Sequence, residues 1–310
     1  MLDTAQVVSP VVSPGASLAS LTPLARELGA LKRVRDAREP DSLASRLFRR
    51  AWGALLAGQD PTECALQTTA DALAAARLGG IDRAVLAACG VEGEAAHAVL
   101  ARSFDEVAAP LDPALRDQLR AGLGQAVPTG PAPAFAEALI RQPRAGATCP
   151  GKPRIVLEPP EGHGDHCLIV AVLGAIAAPR YGAGPTLPFL AGLAHHLHNA
   201  TLPDSGFAGE MLLGEHLPSI MARLFARELQ GLSTPLADAT RGTLDHIRDA
   251  STPEGRAFHA ADVMDRVLEM RHFAEVAAFT VDQALDDMNL VHEGPVQAFH
   301  KAALAEAGLP

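Results

Sequence analysis

Glu161-Gly162-His163-Gly164-Asp165-His166-Cys167, running on into Leu168-Ile169-Val170-Ala171-Val172-Leu173, is the stretch on which the reading of this chain turns. Ile169, Val170, Leu173 and Ile176 recur at helical spacing, and Pro179 follows the end of the run. His166 falls on the same buried stripe, which is an expensive place for an imidazole without a partner. A second apolar helix starts at Thr186 or Pro188 and closes on His195 and His196. Neighbouring residues on a helix lie ~100° apart, so both rings can face one inward point only at a helix end. Farther on, Asp262 sits at the head of another amphipathic run, in Phe258-His259-Ala260-Ala261-Asp262.

Working outward, 310 residues with 48% hydrophobic content describe a folded chain with a sizeable core. Aromatic residues are only 4% and alanine is abundant, which favours closely packed helices over a β-rich core. The fold class expected is therefore all-α. No apolar run approaches the ~20 residues needed to cross a bilayer, and the N-terminus lacks a signal-peptide pattern. Cys64, Cys89, Cys149 and Cys167 show no close pairing, so a reducing cytoplasm is the default.

Charge divides unevenly. Through residue 150 there are 15 basic and 16 acidic residues; beyond it there are 11 and 20, which argues against a broad grip on nucleic acid. His97 is the only histidine in the first part, so any imidazole chemistry belongs to the second. A small-molecule ligand is the partner expected, with no nucleic acid and no membrane, and a homo-oligomer is left open.

Residues 1–20, with two Ser-Pro breaks, read as a mobile arm, followed by an N-terminal helical domain over 21–145. Helices are expected over 42–56, 61–77, 82–89, 93–109, 113–122 and 132–141. Arg46, Arg49 and Arg50 lie largely off the buried stripe of the first of these, where a solvated face is the simpler reading. Prolines crowd the region from Pro128 to Pro160, which places a domain boundary near residue 145. The second domain, 146–310, is expected to carry a helix over 209–230, a looser polar stretch over 231–255, a long helix over 255–287 and a closing helix over 296–307.

One shared cation would satisfy His166, His195, His196 and Asp262 together. Nitrogen and oxygen donors of this kind suit Zn, Mn, Fe or Co. The three segments, in this order, resemble the HD-domain superfamily of metal-dependent phosphohydrolases, and most of all its 5′-deoxynucleotidase branch. Glu161-x-x-x-Asp165-His166-Cys167 is similar to that branch's Glu-x-x-x-Glu-His-Ser entry. The run from His195 through Pro203-Asp204 follows its His-Asp-x-x-Glu-x-x-x-Gly-Asp frame, and His259-Ala260-Ala261-Asp262 follows its Lys-x-Ala-Asp. Two positions depart from the pattern: His196 stands where the family has a ligating Asp, and Asn199 where it has a Glu.

The resemblance implies an HD-like helical bundle over residues 146–310 that hydrolyses a small, nucleotide-like phosphomonoester. His166, His195, His196 and Asp262 would be the metal ligands. Asp204 would handle the proton, with Glu210 and His198 nearest to replace the missing Glu. Arg154, His198 and Asn199 are the residues expected to meet substrate. A diiron oxygenase of the same superfamily is the alternative, with His216 and His246 as added ligands. A third reading is a degraded scaffold that binds or regulates.

Overall fold

Alanine-rich segments closed by glycine or proline and opened by capping side chains fold here as helices. The computed structural model describes residues 17–276 and residue 305. Residues 1–16 of the expected arm, and the expected closing helix apart from position 305, lie outside the described residues. Helices α1 (Leu18–Ala30), α2 (Leu43–Leu56), α3 (Pro61–Leu78), α4 (Arg83–Ala88), α5 (Gly93–Val107), α6 (Pro113–Gly122) and α7 (Ala134–Arg141) come first. They are followed by α8 (His163–Ala177), α9 (Thr186–Ala194), α10 (Gly206–Leu213), α11 (Leu217–Leu229), α12 (Thr234–His246) and α13 (Pro253–Val276). The all-α class is as expected, and isolated bridges are the only β pairing among the described residues.

The caps explain the starts. Asp60 accepts from the N–H groups of Thr62 and Glu63 with Pro61 in the first turn, and Asp112 accepts from Leu115 ahead of Pro113. Ser42 caps α2 through the N–H of Ser45. Arg46, Arg49 and Arg50 are spent on ion pairs with Asp36, with Asp41 and Glu137, and with Asp71, so they form no free anion patch.

Every residue of α8 is buried. Helices α1, α2, α3, α7 and α9 all pack against it, which makes it the axis of the core. Trp52 and Phe135 meet edge to face with ring centroids 4.8 Å apart, tying α2 to α7. The expected boundary at residue 145 falls inside a single compact unit that runs through Arg266, because helices from both sides share this core. The proline-rich segment is itself tied down, with Pro143 bridged to Gly162 and Ala147 to Ile155. Residues Val267–Pro310 form a second unit.

Several elements differ from expectation. Residues 18–20 belong to α1 rather than to an arm. The helix expected over 209–230 is broken at Gly214, whose φ of 53° ends α10 before α11 begins. The polar stretch 231–255 contains α12, whose Leu236, Ala237, Thr240 and Thr243 are buried. Thr240 and Thr243 turn their hydroxyls back onto the carbonyls of Leu236 and Thr240, so polar composition hid a packed helix. Helix α9 ends at Ala194, leaving His195 and His196 in the turn beyond it.

Gly192 lets α8 and α9 meet backbone to backbone: a Cβ there would stand 2.4 Å from both the Cα and N of Ala171. Those atoms cannot rotate away. Gly192→Ala should therefore force the two helices apart, lowering stability by about 1–3 kcal/mol in urea denaturation.

Candidate metal centre

Three helices deliver the site. His166 comes from the first turn of α8, His195 and His196 from the turn that ends α9, and Asp262 from α13. Ring nitrogens of His166, His195 and His196 lie within 4.8 Å of one another. His166 Nε2 is 3.2 Å from His195 Nε2 and 3.3 Å from Asp262 Oδ1. His166 is fully buried, whereas His195, His196 and Asp262 are half-buried, so the cluster has a closed floor and an open rim.

The protons can be located from the partners behind each ring. His195 Nδ1 lies 2.8 Å from the carbonyl of Gly192, which only accepts, so Nδ1 carries the hydrogen. His166 Nδ1 likewise donates to Asp265 Oδ2 at 2.7 Å. Asn199 donates its Nδ2–H to the carbonyl of Leu202, which turns its Oδ1 toward His196 Nδ1 at 2.9 Å. Each ring is thus held by its Nδ1 with Nε2 directed away from that partner, the arrangement found behind metal-ligating histidines. His195 Nε2 and the Asp262 carboxylate each face His166 Nε2, and acceptors this close require something positive among them, a proton or a metal ion. Two donors each ~2.1 Å from a tetrahedral cation stand ~3.4 Å apart, close to the 3.2 and 3.3 Å separations found.

Electrostatics favours neutral imidazoles at the rim. Burial, reinforced by the neighbouring rings, holds His195 down to about 3 and His196 well below its ordinary value. Burial would raise Asp262, but the His166 imidazole beside it carries it well below the usual carboxylate range. Behind His166, Lys32 pairs with Asp265 at 2.7 Å and with Glu161, and Arg144 reaches Glu161 at 3.6 Å. Burial pushes Asp265 and Glu161 up, yet the Lys32 charge leads the terms that leave both lowered.

The other expected residues are distributed differently. Asp204 stands 3.6 Å from His163 Nε2, but its two oxygens already accept from the N–H groups of Ala145 and Gly206, at 2.9 and 2.8 Å. Those bonds outweigh burial and keep its carboxyl below its usual range. His198 is buried, its ring 5.8 Å from that of His196, and burial lowers it to about 4. Asn199 supports a ligand ring and has its amide committed on both sides. Glu210 is exposed on α10. Arg154 is exposed too, its guanidinium on the carbonyl of Ser205. His216 is exposed in the turn before α11, and His246 ends α12; neither belongs to the grouped donors.

Four participants escaped the sequence reading. His163 is fully buried, donates from Nδ1 to the carbonyl of Gln142, and leaves Nε2 without a hydrogen bond. Arg144 buries an Nη1 that also has no hydrogen bond. Asp265 was legible as the residue three places after Asp262, which puts both on one helix face. Lys32 meets Glu161 across 129 positions, and no local pattern marks it.

No family model matches the chain, and comparison with curated proteins and with solved structures finds no match.

Asn199→Leu should free the His196 ring and weaken divalent-metal binding by about 10–100-fold, as read by competition with a chromophoric chelator. A second expectation concerns acid. Burial keeps His163 and His198 down to about 4, and His195 to about 3, from an ordinary value of 6.5. Between those values the unfolded chain binds protons that the folded chain refuses, so stability falls as pH drops through that window. Urea midpoints of the metal-free protein should accordingly be lower at about pH 5 than at about pH 7.

Proposed function

We propose that this chain is an HD-type, metal-dependent phosphohydrolase acting on a small phosphorylated molecule. The observation that carries the reading is His166 Nε2, which has His195 Nε2 at 3.2 Å and Asp262 Oδ1 at 3.3 Å, with both rings held from behind by hydrogen bonds to their Nδ1 atoms. His166, His195, His196 and Asp262 would hold a divalent Zn, Mn, Fe or Co. Once bound, such an ion lowers the pKa of a coordinated water and polarises a phosphoryl oxygen.

The chain's own residues would do the rest. Arg144, rather than the exposed Arg154, is the guanidinium suited to the phosphoryl group. It is mostly buried, and the charges of Glu161, Asp265, Asp262 and Asp204 hold it protonated against burial. Its free N–H is a donor awaiting an acceptor. His163 Nε2 and Asp204 Oδ2, 3.6 Å apart, form an acceptor pair that can take and share one proton. Asp204 is held ionised by backbone N–H groups, so in this pair it receives a proton rather than supplies one. The His163 ring meets that of His196 edge to face at 4.8 Å, which puts the pair beside the ligands.

The dinuclear oxygenase reading gains nothing from His216 or His246, which stand outside the grouped donors. Binding without turnover is favoured by one feature: Asn199 is an amide spent on orienting His196, where the resembled family carries an acid.

Asp262→Ala should abolish stoichiometric metal in protein purified without chelators, and the variant should keep the wild-type circular dichroism. Wild-type protein should hydrolyse members of a nucleoside monophosphate panel under anaerobic conditions, with Arg144→Met raising KM by about 10-fold or more. Oxygen consumption with two irons per chain would replace the hydrolase reading by the oxygenase.

A further inference from the structure

Two sets of metal-capable donors meet at His166. One comprises His166, His195 and His196; the other comprises Glu161, His166 and Asp265, whose donor atoms also lie within 4.8 Å of one another. The second set is not vacant. Lys32, from the turn that follows α1, places its Nζ 2.7 Å from Asp265 Oδ1, 2.9 Å from Asp265 Oδ2, and in contact with Glu161 Oε1. All three side chains are almost wholly buried: Lys32 retains 2% of its side-chain exposure, Asp265 3% and Glu161 6%.

The charges balance in a particular way. Lys32 and Arg144 offset Glu161 and Asp265. Asp262 remains, facing His166 on one oxygen and the largely exposed Arg266, 3.6 Å away, on the other. One carboxylate and three imidazoles suit a single dication. Two dications ~3.5–4 Å apart repel strongly and need anionic ligands between them. Here the anions that could serve a second ion are already taken by an ammonium that belongs to the chain.

We propose that Lys32 fills the seat of a second cation, so that its ammonium limits the centre to one metal ion and keeps Glu161 and Asp265 from ligating. The ammonium does this without an exchangeable ion, and it fixes Asp265 as the hydrogen-bond acceptor behind His166. Removing it leaves two buried carboxylates side by side, an arrangement that demands a cation or a proton. Oxygen donors of this kind favour a hard ion such as Mn(II).

The inference rests on the reading of the histidine cluster as a metal centre, and the test separates the two. Full-length wild type, Lys32→Ala and Lys32→Ala/Glu161→Gln are incubated with Mn(II), desalted and analysed for bound manganese, with thermal unfolding followed with and without Mn(II). The expected result is one equivalent for wild type, two for Lys32→Ala, and a return to one in the double variant. Mn(II) should also raise the unfolding temperature of Lys32→Ala more than that of wild type. If Lys32→Ala is soluble only when expressed with Mn(II), the ion has replaced the ammonium and the proposal stands. Equal manganese in wild type and Lys32→Ala overturns it, as do two equivalents in wild type. A Lys32→Ala protein that fails to fold even with Mn(II) also overturns it, because the seat would then not accept a metal. Should wild type bind none while Lys32→Ala gains one equivalent that depends on Glu161, the seat is real and the histidine centre is not.

Discussion

Burying an imidazole inside a helix with no exposed face is the constraint to which the rest of this molecule answers. His166 is fully buried on α8, and a neutral imidazole has one donor and one acceptor to satisfy. The donor goes to Asp265 at 2.7 Å. Asp265, buried in turn, needs a cation, and Lys32 supplies it; Glu161 shares that cation and draws in Arg144. A chain of obligations thus runs from one ring nitrogen through the turn after α1, the proline-rich segment and α13. The acceptor side has no such protein partner. It faces another acceptor and a carboxylate, and this asymmetry around a single ring makes the cluster one that could hold a metal ion.

Much of this was legible in the sequence, and the misses have physical reasons. The helical class followed from alanine content and from caps such as Asp60 and Asp112. That His166, His195 and His196 lie together, with Asp262 beside His166, is what polar groups breaking apolar runs suggest, since each implies a distant partner. Lys32 and Arg144 stayed hidden because a cation in a loop carries no local sign of burial; only the tertiary fold reveals which carboxylates it meets. The boundary near residue 145 misread proline content as independence. Prolines end helices, but Pro143 and Ala147 are still paired to the chain around α8. Helix α12 was missed because its threonines satisfy themselves against their own backbone, so a polar sequence packs as an apolar one would.

The same geometry clarifies the part played by Asn199. An acid there would face the ring nitrogen of His196 and hold it more strongly than an amide does. Asn199 instead spends its second group on Leu202, so its carbonyl oxygen can point only one way. The ring is oriented without a negative charge beside the histidine cluster. The three imidazoles are therefore supported by one carboxylate through His166, one amide through His196 and one backbone carbonyl through His195.

Helix α10 and the turn after it bury no residue at all, although they lie on the path between His195 and Asp262. The site is fastened on either side of this stretch, by the Gly192 crossing at one end and by the two carboxylates on α13 at the other. Closing a longer flexible loop costs only about 0.6 kcal/mol for each doubling of its length. Extra residues near Gly214 would consequently be borne without displacing a single ligand. This is the place in the fold where natural insertions would accumulate, and where a sensor or a second binding module could be grafted.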